Sequence, residues 1–185
     1  MSKKHAEIDE KLRDFIGAQK IFFVATAGPQ GRVNLSPKGL DGTFAVLGPK
    51  KVAFLNLTGS GNETAAHLRL GDRITLMFCA FSGPPMILRL YGRGRAIHPG
   101  EPEWSALLPH FGDLPGKRQI VVAEVDEVMT SCGFGVPLMD FAGCRTTLND
   151  WAEAKGEEGI RDYWRRKNAL SFDGLPTGLP TDQPD

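Results

Sequence analysis

Between Ile21 and Ser36 the chain spells out a hairpin. A strand-like run from Ile21 to Ala27 meets a Gly28-Pro29-Gln30-Gly31 turn and returns through an alternating stretch from Arg32 to Ser36. Such a hairpin is marginal on its own in water, so it predicts a larger sheet for it to lie on. Further strand-like segments follow at Thr43 to Leu47, Val52 to Leu57, Arg73 to Phe81, Met86 to Ile97 and Gln119 to Met129, with glycine or proline turns among them. Short connections between successive strands imply an antiparallel meander.

Helical spacing flanks these strands. Ile8, Leu12, Phe15 and Ile16 predict an amphipathic helix over 6–19, and Thr64 to Leu70 predicts a second, with Asn62 suited to its N-cap. Pro102 to Leu108, Leu148 to Lys155 and Glu157 to Lys167 predict three more, the last burying Ile160, Tyr163 and Trp164. The expected fold class is mainly β (α+β), with short flanking helices. At 185 residues one domain suffices, over 1–170, followed by a Pro/Gly-rich tail over 171–185. The last ten residues show no period and are expected to lack fixed structure.

Composition narrows the function. With 22 basic and 22 acidic residues the chain has no net charge, so a nucleic-acid surface is not expected and a small-molecule partner is. Its apolar runs are too short to span a membrane, and residues 1–10 lack the apolar core of an export signal, so a cytoplasmic protein is expected. Cys79, Cys132 and Cys144 are odd in number and widely spaced, which argues for reduced thiols rather than a disulfide framework or a zinc site. His5, His67, His98 and His110 have no partner at metal-ligand spacing, so no metal is expected and they read as surface or helix-face residues.

Two stretches carry candidate binding chemistry. Asn34, Leu35, Ser36, Pro37, Lys38 and Gly39 close the hairpin with a hydroxyl, a cation and a flexible glycine, where Pro37 removes a ladder donor. Gly59 to Thr64 opens a helix, whose unpaired first amides suit a phosphate, although Glu63 in that first turn repels one. A strand end with a solvated lysine and an ordinary capped helix are the plain alternatives. Arg89, Arg93 and Arg95 alternate onto one face of their strand, which meets either water or an anionic ligand or partner subunit. Gly92 and Gly94 in the same strand predict a bulge or a close backbone contact.

The order FFVATAGPQGRVNLSPKG, AFLNLTGSGNETAAHL, ITLMF and MILRLYGRGRAI resembles the pyridoxamine 5'-phosphate oxidase-like family of FMN-binding split barrels over roughly residues 15–130. The resemblance implies a six-stranded antiparallel split β-barrel and a homodimer with FMN in the interface groove. It also places Asn34, Ser36, Pro37, Lys38 and Gly39 along the flavin, and Asn62, Glu63 and Thr64 at its phosphate. The vitamin B6 oxidases carry basic residues at that helix start, so here Lys38 and an arginine such as Arg89 must supply the charge. Their C-terminal arginine and histidine cluster is also missing, so vitamin B6 oxidation is not the expected reaction.

The expected function is an FMN-dependent oxidoreductase acting on a small organic substrate. A flavin-binding or sensing protein without turnover, or a barrel holding haem or a deazaflavin, are the alternatives. Phe134 or a tail residue is a candidate for closing over the ring.

Overall fold

The computed structural model describes residues 2–180. Eight strands, β1 (Lys3–His5), β2 (Ile21–Ala27), β3 (Val33–Gly39), β4 (Phe44–Gly48), β5 (Lys51–Leu57), β6 (Arg73–Cys79), β7 (Ile87–Ile97) and β8 (Lys117–Ser131), form one antiparallel sheet. Its order is β3-β2-β6-β7-β8-β5-β4, with β1 paired to the far end of β8, beyond the reach of β5. Four helices flank it: α1 (Glu10–Ala18), α2 (Glu63–Leu70), α3 (Pro102–Leu107) and α4 (Thr147–Tyr163).

The period-two pattern places the core. Phe22, Val24, Leu76, Phe78, Leu88, Leu90, Phe54 and Val121 share the inner face, with Ile8, Leu12 and Ile16 beside them. Phe22 stacks on Phe78 at 5.6 Å between centroids, and Phe44 meets both edge-on at 4.9 and 5.2 Å, the geometries that aromatic quadrupoles favour. β5 and β8 are buried on both faces, because Ala53, Leu55, Ile120 and Val122 pack outward, beside Ile97 of β7, against Trp104 and Leu107 of α3. This explains why their sequences, VAFL and IVVA, run apolar without alternating.

Several expectations are corrected. The expected class, a mainly β antiparallel sheet with short flanking helices, is present; the sheet is open rather than closed and has eight strands where six were expected. β3 and β4 are its two edges, and the turn between them, with Leu40 at φ 75° and the Thr43 hydroxyl donating to the carbonyls of Gly39 and Leu40, leads β4 to pair with β5 alone. β1 was missed because Lys3-Lys4-His5 has no apolar period, and its order comes from the β8 ladder. α1 begins at Glu10 rather than residue 6, since the Asp9 side chain accepts from the Leu12 amide and caps it there.

The two expected C-terminal helices are both present: α4 is two helices meeting at Gly156, whose φ of 64° and ψ of 175° are non-helical, and the second runs on into a π-helical turn, Trp164–Asn168. Most of the tail is built into the fold: Thr177 is fully buried and donates to the Asn168 carbonyl at 2.7 Å, while Leu179 packs on Trp164 and Ile160. Of the ten residues expected to lack fixed structure, 176–180 are thus placed and 181–185 lie outside the described residues. The close contact expected at Gly92 is present: the β7–β8 register shifts between Tyr91 and Gly92, and any Cβ at Gly92 would run into the Glu124 carbonyl.

Candidate functional site

Alternation aims Asn34, Ser36 and Lys38 inward from β3, while Val33, Leu35 and Pro37 face out. Lys38 lies opposite Phe22 on the inner face and reaches across the open side of the sheet, donating to the Asn56 side-chain oxygen at 2.9 Å. Asn56 ends β5 beside Gln119, and Gln119 donates to the Asn62 side-chain oxygen at 2.8 Å. Asn34 donates to the Thr64 hydroxyl at 3.2 Å and accepts from the Ser36 hydroxyl at 3.0 Å. The two stretches singled out in the sequence therefore meet.

The central cation is one the sequence did not disclose. The β5–β8 register shifts between Asn56 and Leu57, so that Arg118 is the extra residue between the partners Gln119 and Lys117. A bulge re-aims its side chain, and Arg118 becomes the largest fully buried side chain among the described residues. One of its nitrogens donates weakly to the Gly59 carbonyl at 3.4 Å, and its Nε has no partner. Gln119 Oε1 and Asn168 Oδ1 are also buried without partners.

The electrostatics follow from the crowding. Burial pushes the Lys38 ammonium down to about 8, with the Arg118 guanidinium adding to the effect and Glu63 opposing it. Burial likewise lowers Arg118 to about 10 against the attraction of Glu63 and Tyr163. Two cations thus share a recess with one carboxylate, and burying an isolated charge is costly enough that the arrangement favours one further negative charge.

The helix start does not offer a bare phosphate cradle. Asn62 occupies the N-cap position, but its side chain makes no capping bond and turns instead to Gln119 and to the Asn168 carbonyl at 3.4 Å. Glu63 lies back along Gly61 and accepts from the Phe172 amide at 3.0 Å, so the tail runs over the first turn of α2. Asp173 pairs with Arg32 and accepts from its amide at 3.0 Å, which ties the tail to the β2–β3 turn. An anion is therefore better matched to Lys38 and Arg118 than to Glu63 and Thr64.

Not every candidate joins this cluster. Arg89 lies on the outer face in register with Met77 and Met129, donates to the Ser131 hydroxyl at 3.2 Å, and is separated from Lys38 by the sheet itself. Arg93 and Arg95 pair with Asp126 and Glu103. Pro37 is exposed, and Gly39 borders a separate cavity of about 240 Å³ between α1 and the β3–β4 turn. Phe134 stands 82% exposed.

His67 and His98, expected at the surface or on a helix face, are both buried. His67 shares a hydrogen bond with the Thr26 hydroxyl at 3.1 Å. Among the described residues no group of three or more His, Cys, Asp or Glu could hold a metal ion, and no helix is long and apolar enough to cross a membrane.

Asn56, Arg118, Gln119 and Asn168 were missed. The signal available was the polar pair Arg118-Gln119 opening an otherwise apolar strand, and an asparagine inside the apolar run of β5.

Known proteins resemble this one in sequence and in shape. A family model described as pyridoxamine 5'-phosphate oxidase matches residues 8–132. The pyridoxamine 5'-phosphate oxidase family protein ustO of Aspergillus flavus is 39% identical, covering 93% of this chain and 76% of its own length. Crystal structures of HupZ from Group A Streptococcus superpose at TM-scores of 0.53 (a single-substitution variant, 17% identical, 67% of this chain and 99% of that one) and 0.51 (18% identical, 65% and 91%), a likeness of fold. With this sheet, this pairing of strand end and helix start, and a family match over residues 8–132, the chain belongs to the pyridoxamine 5'-phosphate oxidase family.

Proposed function

We propose that the chain binds FMN and works as a flavin-dependent oxidoreductase on a small organic substrate. The observation that carries this reading is the recess where Lys38 and Arg118 lie buried against a single carboxylate, with the Arg118 Nε unpartnered. A flavin carries a terminal phosphate that two such cations would hold, and Asn34, Ser36, Asn56 and Gln119 add neutral donors and acceptors around it. The bound flavin would supply the electron or hydride transfer, and the residues present bind, orient and set the local charge. Family membership supports a flavin in the same place.

The protein is further proposed to act as a homodimer. Val33 and Leu35 stand 74% and 64% exposed on the outer face of an edge strand, an apolar surface that a second subunit would cover. Arg89 lies on that same outer side of the sheet, and its contribution to a cofactor would come across the interface.

Spectroscopy tests the reading directly. The purified protein is expected to show a flavin band near about 450 nm, or to acquire it on titration with FMN, and to reoxidise after reduction by a nicotinamide nucleotide when an acceptor is added. A colourless protein that takes up no FMN sinks the proposal. A band near about 400 nm in its place points to haem. Bound flavin that no donor and acceptor pair can cycle leaves a binding protein rather than an enzyme.

A further inference from the structure

A second cavity, of about 550 Å³, opens beside the start of β8 and outside the segment that the family model matches on its other wall. Its inner wall is Trp104 with Leu114 and Pro115, and its outer wall comes from both sides of the break at Gly156, Glu153 from the segment before it and Glu157, Ile160 and Trp164 at helical spacing after it. That wall is graded. Ile160 and Trp164 are buried at the floor, 6% and 7% exposed, and the two carboxylates stand exposed at the mouth. The break at Gly156 lies between the carboxylates and lines the same wall.

The charges at the mouth are unequally matched. Lys117 is held by Asp113 at 2.6 Å, Arg165 shares Asp162 with Arg166 and lies 3.7 Å from it, and Arg161 makes an interaction of its own. Among the described residues Glu153 and Glu157 form no ion pair. The indole N–H of Trp164 is committed to the Thr58 hydroxyl at 2.8 Å, which leaves its ring rather than a polar atom to a ligand. An apolar floor with aromatic rings and unpaired carboxylates at the rim matches an apolar body ending in a cation, since both carboxylates and ring faces attract an ammonium group.

We propose that this cavity is a binding site for a small hydrophobic amine, its aryl or alkyl body on Trp104, Ile160 and Trp164 and its ammonium group at Glu153 and Glu157. The site is separate from the Lys38–Arg118 recess and does not depend on a flavin being bound there.

Calorimetric titration of the full chain with phenethylamine, phenylacetate and 2-phenylethanol, which share a body and differ in charge, tests it. Phenethylamine is expected to bind about tenfold or more tighter than phenylacetate, with the alcohol between them. The double substitution Glu153→Gln with Glu157→Gln, both at exposed positions, is expected to erase that preference while retaining binding of the alcohol. Ala152→Phe, which fills the cavity from the helix, is expected to abolish binding of all three. A change in tryptophan fluorescence on adding phenethylamine to the unsubstituted protein, reduced in Trp104→Phe where Trp164 is the ring left against the ligand, gives an independent reading should the filled variant not fold. Equal affinity for amine and carboxylate, preference surviving the double substitution, or no binding of any probe would each overturn the proposal. FMN uptake is read in the same samples, so a failure here leaves the flavin reading standing on its own result.

Discussion

The inner face of the sheet has two regions built on the same strands. In one, Phe22, Phe54 and Phe78 pack to 5% exposure or less in a cluster of rings. In the other, two residues further along β5 and two residues back along β8, Phe54 and Val121 give way to Asn56 and Gln119, with Lys38 and Arg118 beside them. The first region is packed into the apolar core. The second leaves Arg118 Nε and Gln119 Oε1 buried without partners. Native proteins seldom tolerate such atoms in a purely structural role, so the contrast separates what holds the sheet together from what it is built to bind.

Substitutions should divide along that line. Phe78→Ala in the ring cluster is expected to cost about 3 to 5 kcal/mol of stability in a urea titration. It should leave FMN affinity of the folded protein little changed, and lost affinity with intact stability would break the division. Arg118→Met should do the reverse, weakening FMN binding by about 2 to 3 kcal/mol while stability holds or rises, because an unpaired buried charge is removed. Lys38→Ala is expected to weaken FMN binding by about 1 to 2 kcal/mol, measured by fluorescence titration.

The Lys38 reading is sharpened by pH. Its pKa in the folded protein is lowered from the ordinary 10.5 to about 8, so the native state holds fewer protons than the unfolded chain between those values. Stability should therefore rise with pH across that window, the penalty being fully present below about pH 8 and relieved above it. FMN affinity should fall over the same range as the ammonium is lost. Both slopes should vanish in Lys38→Met, and persistence of either would assign them to another group. The smallest effect is expected for Glu63→Gln, a gain in FMN affinity of under about 1 kcal/mol as the one competing carboxylate is removed.

The sheet was legible in the sequence because its signal is local. Alternation in Ile21–Ala27 and the glycine and proline turns specify strands without reference to anything distant. The same locality hid Arg118. Its burial depends on a bulge against β5, some sixty positions earlier, and nothing in the Lys117-Arg118-Gln119 triplet announces a register shift. Asn62 was placed correctly at the helix start but misread in its bonding, since its partners Gln119 and Asn168 come from the far half of the chain. A six-stranded split barrel was expected from resemblance, and the antiparallel sheet is present but stands open, with β3 and β4 at its edges. The tail was misjudged for a similar reason: composition describes a segment's own tendencies, whereas Thr177 and Leu179 are ordered by surfaces made elsewhere.

The tie between Arg32 and Asp173 joins the first hairpin to the C-terminal tail. Asn62 and Glu63 also wait on Asn168 and Phe172 for their partners. On a ribosome, where a chain emerges from its N-terminus, the sheet core can assemble well before these contacts become possible. The recess at Lys38 and Arg118 would then stand uncovered throughout synthesis, with its cations open to solvent. Cofactor capture by a nascent chain would precede the arrival of the tail, whereas the finished protein would have to admit its ligand beside a strap already in place.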